Sequence, residues 1–194
     1  MEQQTKKNLR GIFLKKRKEL TEDCREQQSK QICELFFQYF NLTQIKYLHI
    51  FLPIESLKEI NTWFIINKLS SDYPHLIISV PKTNPRDLSM QAHQLKPDTK
   101  LERGKLGTLE PTNSAIIQPH KIEMMLLPLL CFDENGYRLG YGKGFYDRFL
   151  KQCSPDIQKI GLSFFEPVAQ IPELDEHDVP MNYCLTPKRL YSFL

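Results

Sequence analysis

The first apolar residues recur at helical spacing: Leu9, Ile12, Phe13 and Leu20 share one face of residues 5–20, since side chains three and four apart overlie one another in a helix. Thr21 can cap a second helix, which the pattern carries to Tyr39 or Phe40. The pattern then changes. Residues 46–52 are mostly apolar, stop at Pro53 and predict a strand, while residues 59–69 return to helical spacing with Ile60, Trp63, Phe64 and Ile66 buried. Residues 76–80 predict another strand, and the weak alternation of residues 90–95 predicts an edge strand. Pro97, Gly104, Gly107 and Pro111 make residues 96–113 a long irregular loop, suited to walling a pocket. The longest apolar run, residues 124–132, predicts a central strand. A glycine turn, a helix over 145–152, a strand over 160–164 and a short strand over 183–186 follow it.

Short, solid apolar strands alternating with helices predict an α/β fold with a mostly parallel sheet covered on both faces. Ligands of such sheets sit at the carboxyl ends of the strands, where the glycine turn after Phe132 is expected. A chain of 194 residues, 41% hydrophobic and 25% charged, suits one domain over 1–194. No repeat or low-complexity segment interrupts it. A net charge of +3 suits small anionic substrates and falls short of a nucleic-acid binder's charge. The five cysteines form no C-x-x-C pair and read as reduced thiols, which points to the cytoplasm. The polar N-terminal stretch has no signal core, and no apolar run approaches the roughly 20 residues of a membrane span.

The densest chemistry lies in residues 138–148, RLGYGKGFYDR. Gly140, Gly142 and Gly144 let backbone N–H groups approach an anion, the helix start near Phe145 adds its dipole, and Arg138, Lys143 and Arg148 add positive charge. The spacing is neither a P-loop nor G-x-G-x-x-G. Asp147 complements the helix dipole or, beside a bound polyphosphate, holds magnesium; Asp178 is a candidate second carboxylate. On the first helix, Lys6, Arg10 and Arg17 fall within about 40° of one another beside the Leu9/Phe13 stripe. Either they form a solvated face or they overhang a pocket. Glu59 reads as a helix-dipole partner or as an acceptor for heterocycle N–H groups, and Glu110 as a loop acid of either kind. The five histidines have no metal spacing, and no nucleophilic triad is present.

Together these segments resemble the 5-formyltetrahydrofolate cyclo-ligase family over nearly the whole chain. Residues 128–133 and 136–148 carry the most specific likeness. Lys6-x-x-Leu-Arg10, Phe51-Leu-Pro, residues 59–62, Pro81-Lys82, residues 107–111, His177-Asp-Val-Pro and Thr186-Pro187 support it. The resemblance implies that Lys6, Arg10 and the segment Arg138, Leu139, Gly140, Tyr141, Gly142, Lys143, Gly144, Phe145 and Tyr146 bind ATP. It implies that Asp147 and Asp178 hold Mg2+, and that Leu52, Glu59 and Glu110 contact the folate together with the Tyr141 to Phe145 part of the loop. Lys143 and Arg138 are then the catalytic cations, and the fold that the resemblance implies is a three-layer α/β/α fold, Rossmann-like, around a mostly parallel central sheet.

The implied reaction converts ATP and 5-formyltetrahydrofolate to ADP, phosphate and 5,10-methenyltetrahydrofolate through a phosphorylated formyl oxygen, in a monomer with no nucleic-acid or membrane partner. Two rivals remain at this stage. One is a sugar-phosphate isomerase or CoA-transferase relative that uses the glycine loop without ATP. The other is an RNA-binding protein that uses the basic first helix, although no stacking platform for RNA is evident.

Overall fold

Two capped helices open the chain, as their sequence predicts. In the computed structural model, which describes residues 5–194, α1 (Lys6–Glu19) begins where the Thr5 hydroxyl accepts from the Asn8 N–H, and α2 (Glu22–Tyr39) where Thr21 accepts from Cys24. The first four residues of the polar N-terminal stretch lie outside the described residues. Strand β1 (Tyr47–Ile50) leads through a 3-10 turn, Glu55–Leu57, to α3 (Trp63–Asp72). Next come β2 (Ile77–Asn84), β3 (Ser89–Gln94), β4 (Leu101–Arg103), β5 (Leu109–Pro111) and β6 (Ile116–Ile117). They are followed by β7 (Met124–Pro128), β8 (Cys131–Phe132), β9 (Arg138–Leu139) and α4 (Phe145–Leu150). The last strands are β10 (Gln158–Leu162), β11 (Tyr183–Leu185) and β12 (Leu190–Ser192).

Eight strands form the main sheet in the order β12-β11-β10-β7-β1-β2-β3-β6. From β11 to β2 every neighbouring pair is parallel, and the strands outside that block are antiparallel. On one face Ile32 and Phe36 of α2 and Ile65 and Leu69 of α3 pack on Leu48, Ile50, Leu126 and Ile160. On the other, Phe149 and Leu150 of α4 cover Met125 and Leu127. Both faces of the central strands are thus buried, which is why their sequences are apolar runs rather than alternations. Helix α1 covers neither face: its Leu9 and Phe13 pack on Leu130, Cys131, Leu139 and Ile171, so α1 sits over the region just past β7. No described helix is long and apolar enough to cross a membrane, and all five cysteines are unpaired.

Several elements differ from the sequence-based expectation, among them β12, which lies beyond the short last strand expected over 183–186 and pairs antiparallel with it. The helix expected from residue 59 starts at Trp63, because tertiary bonds claim the intervening backbone: Arg25 Nε donates to Glu59 O at 2.8 Å, and Asn61 N donates to Ser29 Oγ at 3.0 Å. The run 124–132 divides at Pro128, which has no N–H to extend a ladder, and Cys131–Phe132 instead pairs with Arg138–Leu139. The loop 96–113 contains the β4–β5 hairpin. Strand β3 is interior to the sheet, with β6 outside it.

His49 on β1 is fully buried against Phe149 and Tyr146, with Nδ1 3.1 Å from Ser79 Oγ. Burial pushes its pKa down to about 3. An unfolded histidine titrates near ~6.5, so this group's contribution is intact above that pH and is lost as pH falls toward the folded value. Over the first 1.5 pH units below ~6.5 the loss amounts to about 2 kcal/mol. His49→Gln is expected to remove this slope, as read by urea unfolding at pH 6.5 and 5. An unaltered pH dependence in the variant would refute the assignment.

Candidate active site

The carboxyl ends of β1, β2 and β7 open into a cavity of about 720 Å3, within the usual range for small-molecule sites. Phe51 and Leu52 follow β1, Pro81 and Thr83 belong to β2, and Pro128 ends β7; all line the cavity. Helix α1 contributes Lys6 and Arg10 from above, and every residue from Arg138 to Arg148 lies on the wall. Topology therefore brings the separate motifs to one place. The lining combines apolar side chains, Leu52, Ile54, Leu57 and Leu106, with cations, Arg10, Lys143, Arg148 and Lys151.

The glycine loop joins β9 to α4. Gly142 and Gly144 have φ of +86° and +66°, a region that side-chain-bearing residues rarely adopt. Gly142 is also tight: a Cβ there would lie 3.1 Å from the Arg10 guanidinium carbon. Two arginines fix the loop from outside it, Arg10 Nε by donating to Gly140 O at 3.0 Å and Arg148 by donating to Lys143 O. Among the described residues, no protein group accepts from the backbone N–H groups of Tyr141, Gly142, Lys143 or Gly144. Lys143 is exposed and its ammonium makes no ion pair there. The dipole contribution expected of the following helix is small, because α4 has only 6 residues.

Both candidate metal carboxylates are at the cavity, each beside a cation. Arg138, 5% exposed at its side chain, donates to Asp147 Oδ1 at 2.6 Å and to Val179 O at 2.6 Å. Lys6 Nζ lies 2.7 Å from Asp178 Oδ2. Burial raises the Asp178 carboxyl, but the Lys6 hydrogen bond and the Asp175 N–H outweigh it, and the net displacement is downward. Val179 N approaches Asp147 Oδ1 at 3.4 Å, so the acid after His177 and the acid of α4 occupy adjoining wall. Asp147 Oδ2 and Asp178 Oδ1 take no hydrogen bond among the described residues. Two carboxylates with one uncommitted oxygen each, on the wall of one cavity, fit magnesium, which typically binds one or two carboxylates plus phosphate oxygens and water.

Glu59 differs most from its sequence reading. It precedes α3 by several residues, so it is no helix-dipole partner, and it is 4% exposed. Its Oε2 accepts from Ile54 N at 2.8 Å and its Oε1 from the Tyr141 hydroxyl at 2.6 Å, with Arg17 Nη1 3.8 Å away. Burial raises the carboxyl's pKa; Arg17, then Tyr141, the Ile54 N–H and Arg25 oppose it without cancelling it. Nearby, the Tyr146 hydroxyl is buried with no partner among the described residues. Glu110 stands one step behind the wall: its Oε1 accepts from Thr83 N, Thr83 Oγ1 and Thr108 Oγ1, and the two threonines face the cavity.

Sequence reasoning missed part of the wall. Lys151 and His177, joined at 2.8 Å, line it, as does Leu106 at the tip of the β4–β5 hairpin. Lys151 is one helical turn beyond Asp147, a spacing that places it on the same side of α4. No comparable signal marks Leu106, whose position depends on a hairpin with little local patterning.

Residues 2–187 match the model of the 5-formyltetrahydrofolate cyclo-ligase family. The 5-formyltetrahydrofolate cyclo-ligase of Mycoplasma genitalium is 26% identical over 165 residues, covering 82% of this chain and 84% of that protein. The enzyme of that name from Escherichia coli K12 is 23% identical over 187 residues, covering 94% of this chain and 100% of that protein. Among solved structures, the 5,10-methenyltetrahydrofolate synthetase of Aquifex aeolicus superposes with a TM-score of 0.82 at 25% identity, covering 97% of this chain and 92% of that one. With its motifs gathered at one cavity of a shared fold, this chain belongs to the 5-formyltetrahydrofolate cyclo-ligase family.

Proposed function

We propose that the protein is an ATP-dependent enzyme that cyclises 5-formyltetrahydrofolate to 5,10-methenyltetrahydrofolate. The observation that carries this reading is the four-residue run of uncommitted backbone N–H groups beside Lys143, on the same cavity as the buried acceptor Glu59. A polyphosphate needs the first, and a polar heterocycle held by N–H donors needs the second. The apolar side chains of Leu52, Ile54 and Leu57 supply a surface for a flat ring between them.

The chemical difficulty is that a formamide carbon is a weak electrophile and its oxygen a poor leaving group. In the proposed sequence the formyl oxygen attacks the γ-phosphorus and the bond to the bridging oxygen of ADP breaks. N-10 then attacks the activated formyl carbon, loses its proton, and the carbon–oxygen bond breaks to release phosphate. Such a route needs alignment and charge stabilisation rather than a protein nucleophile. Lys143 and the loop N–H groups hold the phosphates, Lys6 and Arg10 brace them from α1, and Arg138 orients Asp147. Glu59 orients the pterin. Magnesium bound at Asp147 and Asp178 would neutralise phosphate charge.

A cytoplasmic monomer acting on small molecules completes the proposal. Among the described residues the exposed large apolar side chains are Ile12, Tyr39, Leu106, Ile116 and Leu194, each on a different element, connecting segment or terminus, an arrangement in keeping with a monomer. Mixing protein, magnesium-ATP and 5-formyltetrahydrofolate tests the reading by the ultraviolet absorbance of methenyltetrahydrofolate. Product should form only in the complete mixture. Turnover of a phosphosugar or CoA ester, with no methenyl product, would favour the ATP-independent rival.

A further inference from the structure

Arg17 is buried in the last turn of α1, with its side chain 5% exposed. Its Nη1 donates to the Tyr141 hydroxyl at 2.7 Å and its Nη2 to Leu129 O at 2.6 Å. An arginine can only donate. The Tyr141 oxygen therefore accepts from Arg17, and its proton points to Glu59 Oε1, 2.6 Å away. The direction of the whole chain of hydrogen bonds is set at Arg17. Its guanidinium also stands 3.8 Å from the same Glu59 oxygen.

We infer that Arg17 is a positioning residue for the folate acceptor: it aims the Tyr141 proton at Glu59 and keeps Glu59 a fixed carboxylate facing the substrate. The inference rests on the proposed function, in which Glu59 receives the pterin. The loop backbone has separate anchors, Arg10 at Gly140 O and Arg148 at Lys143 O, whereas Arg17 hydrogen-bonds the loop only at the Tyr141 hydroxyl, so the effect of Arg17 should fall more on folate than on ATP. The other groups facing Glu59 do not replace it. Arg25 of α2 is committed to the Glu59 carbonyl, Tyr146 of α4 is neutral, and Ile54 offers one N–H to the other oxygen.

Lysine is a poor substitute, because one ammonium lacks the planar fork that serves Tyr141 and Leu129 O together. A structural role predicts something different. A merely structural Arg17 would lower the melting temperature, because breaking a buried pair from one side is strongly destabilising, and leave the substrate KM values unchanged; a positioning Arg17 carries that cost and loses the acceptor's geometry besides.

The test compares wild type, Arg17→Met and Arg17→Lys by KM for each substrate between pH 6 and 9, by melting temperature, and by equilibrium binding of 5-formyltetrahydrofolate without ATP. Arg17→Met should raise the formylfolate KM at least about tenfold, by the worth of a lost charged hydrogen bond, with ATP KM changed less than about threefold. The defect should shrink as pH rises, because losing the cation raises the Glu59 pKa and the acceptor form returns only at higher pH. Arg17→Lys should restore part of the loss. A defect equal for both substrates, independent of pH, or confined to melting temperature would overturn the inference. If Arg17→Met does not fold, Tyr141→Phe and Arg17→Lys decide: unchanged formylfolate KM in both overturns it. A wild-type protein that neither binds nor turns over formylfolate overturns the underlying functional reading instead.

Discussion

Lys143→Ala is expected to lower kcat/KM for ATP by roughly 10^2 to 10^3, the usual cost of one charge-stabilising donor in a preorganised site. Melting temperature should stay within the small range of surface substitutions. The two halves of this expectation have separate causes. Lys143 is exposed, and its ammonium makes no ion pair among the described residues, so the fold loses nothing when it is cut back. The loop keeps its shape through Arg10 and Arg148, which grip carbonyls on either side of Gly142. What disappears is an exposed cation beside a bend whose amides have no acceptor among the described residues. Formylfolate binding without ATP should fall by much less. An unaltered ATP efficiency would remove Lys143 from the mechanism.

Asp147→Asn is expected to act on stability and catalysis together. Arg138 is nearly inaccessible, and Asp147 is its anionic partner at 2.6 Å. Neutralising that partner strands a buried charge, which costs about 3–5 kcal/mol when a pair is fully enclosed. Asp147 retains 26% exposure and Arg138 keeps the Val179 carbonyl, so a loss of about 3 kcal/mol in metal-free buffer is the expected size. Burial already works against the Arg138 charge, with Asp147 the leading opposing influence and Asp178 a further one. Urea unfolding reads this cost directly. Activity should fall by at least about 10^3, and magnesium should no longer raise the melting temperature of the nucleotide complex. Full activity with wild-type stability would mean that Asp147 neither supports Arg138 nor holds the ion.

The sequence made legible what local chemistry encodes. Thr5 and Thr21 cap helices through their own hydroxyls, and the apolar runs beginning at Met124 and Ile160 belong to parallel strands, Met124–Pro128 and Gln158–Leu162, the second lying two residues earlier than the expected 160–164. Lys6 and Arg10 reach the cavity because cations bordering an apolar stripe end up beside whatever that stripe packs on. Less could be read where distant groups override local pattern. Residues 59–62 have helical spacing, yet Arg25, Ser29 and Phe51 capture their polar groups. The role of Glu59 depends on Tyr141, 82 positions away, and no spacing rule joins those two residues. Glu110 illustrates the converse: its motif is recognisable, but its carboxylate is spent on Thr83 and Thr108. The hairpin that carries Leu106 to the cavity has short strands whose pairing leaves almost no periodic trace.

The most direct measurement is a crystal structure of the protein with magnesium, a non-hydrolysable ATP analogue and 5-formyltetrahydrofolate. The account predicts phosphate oxygens within about 2.7–3.2 Å of the amide nitrogens of residues 141–144, with the formyl oxygen about 3–3.5 Å from the γ-phosphorus and the pterin at Glu59. A nucleotide seated elsewhere, with those amides still free and the pterin remote from the triphosphate, would contradict it.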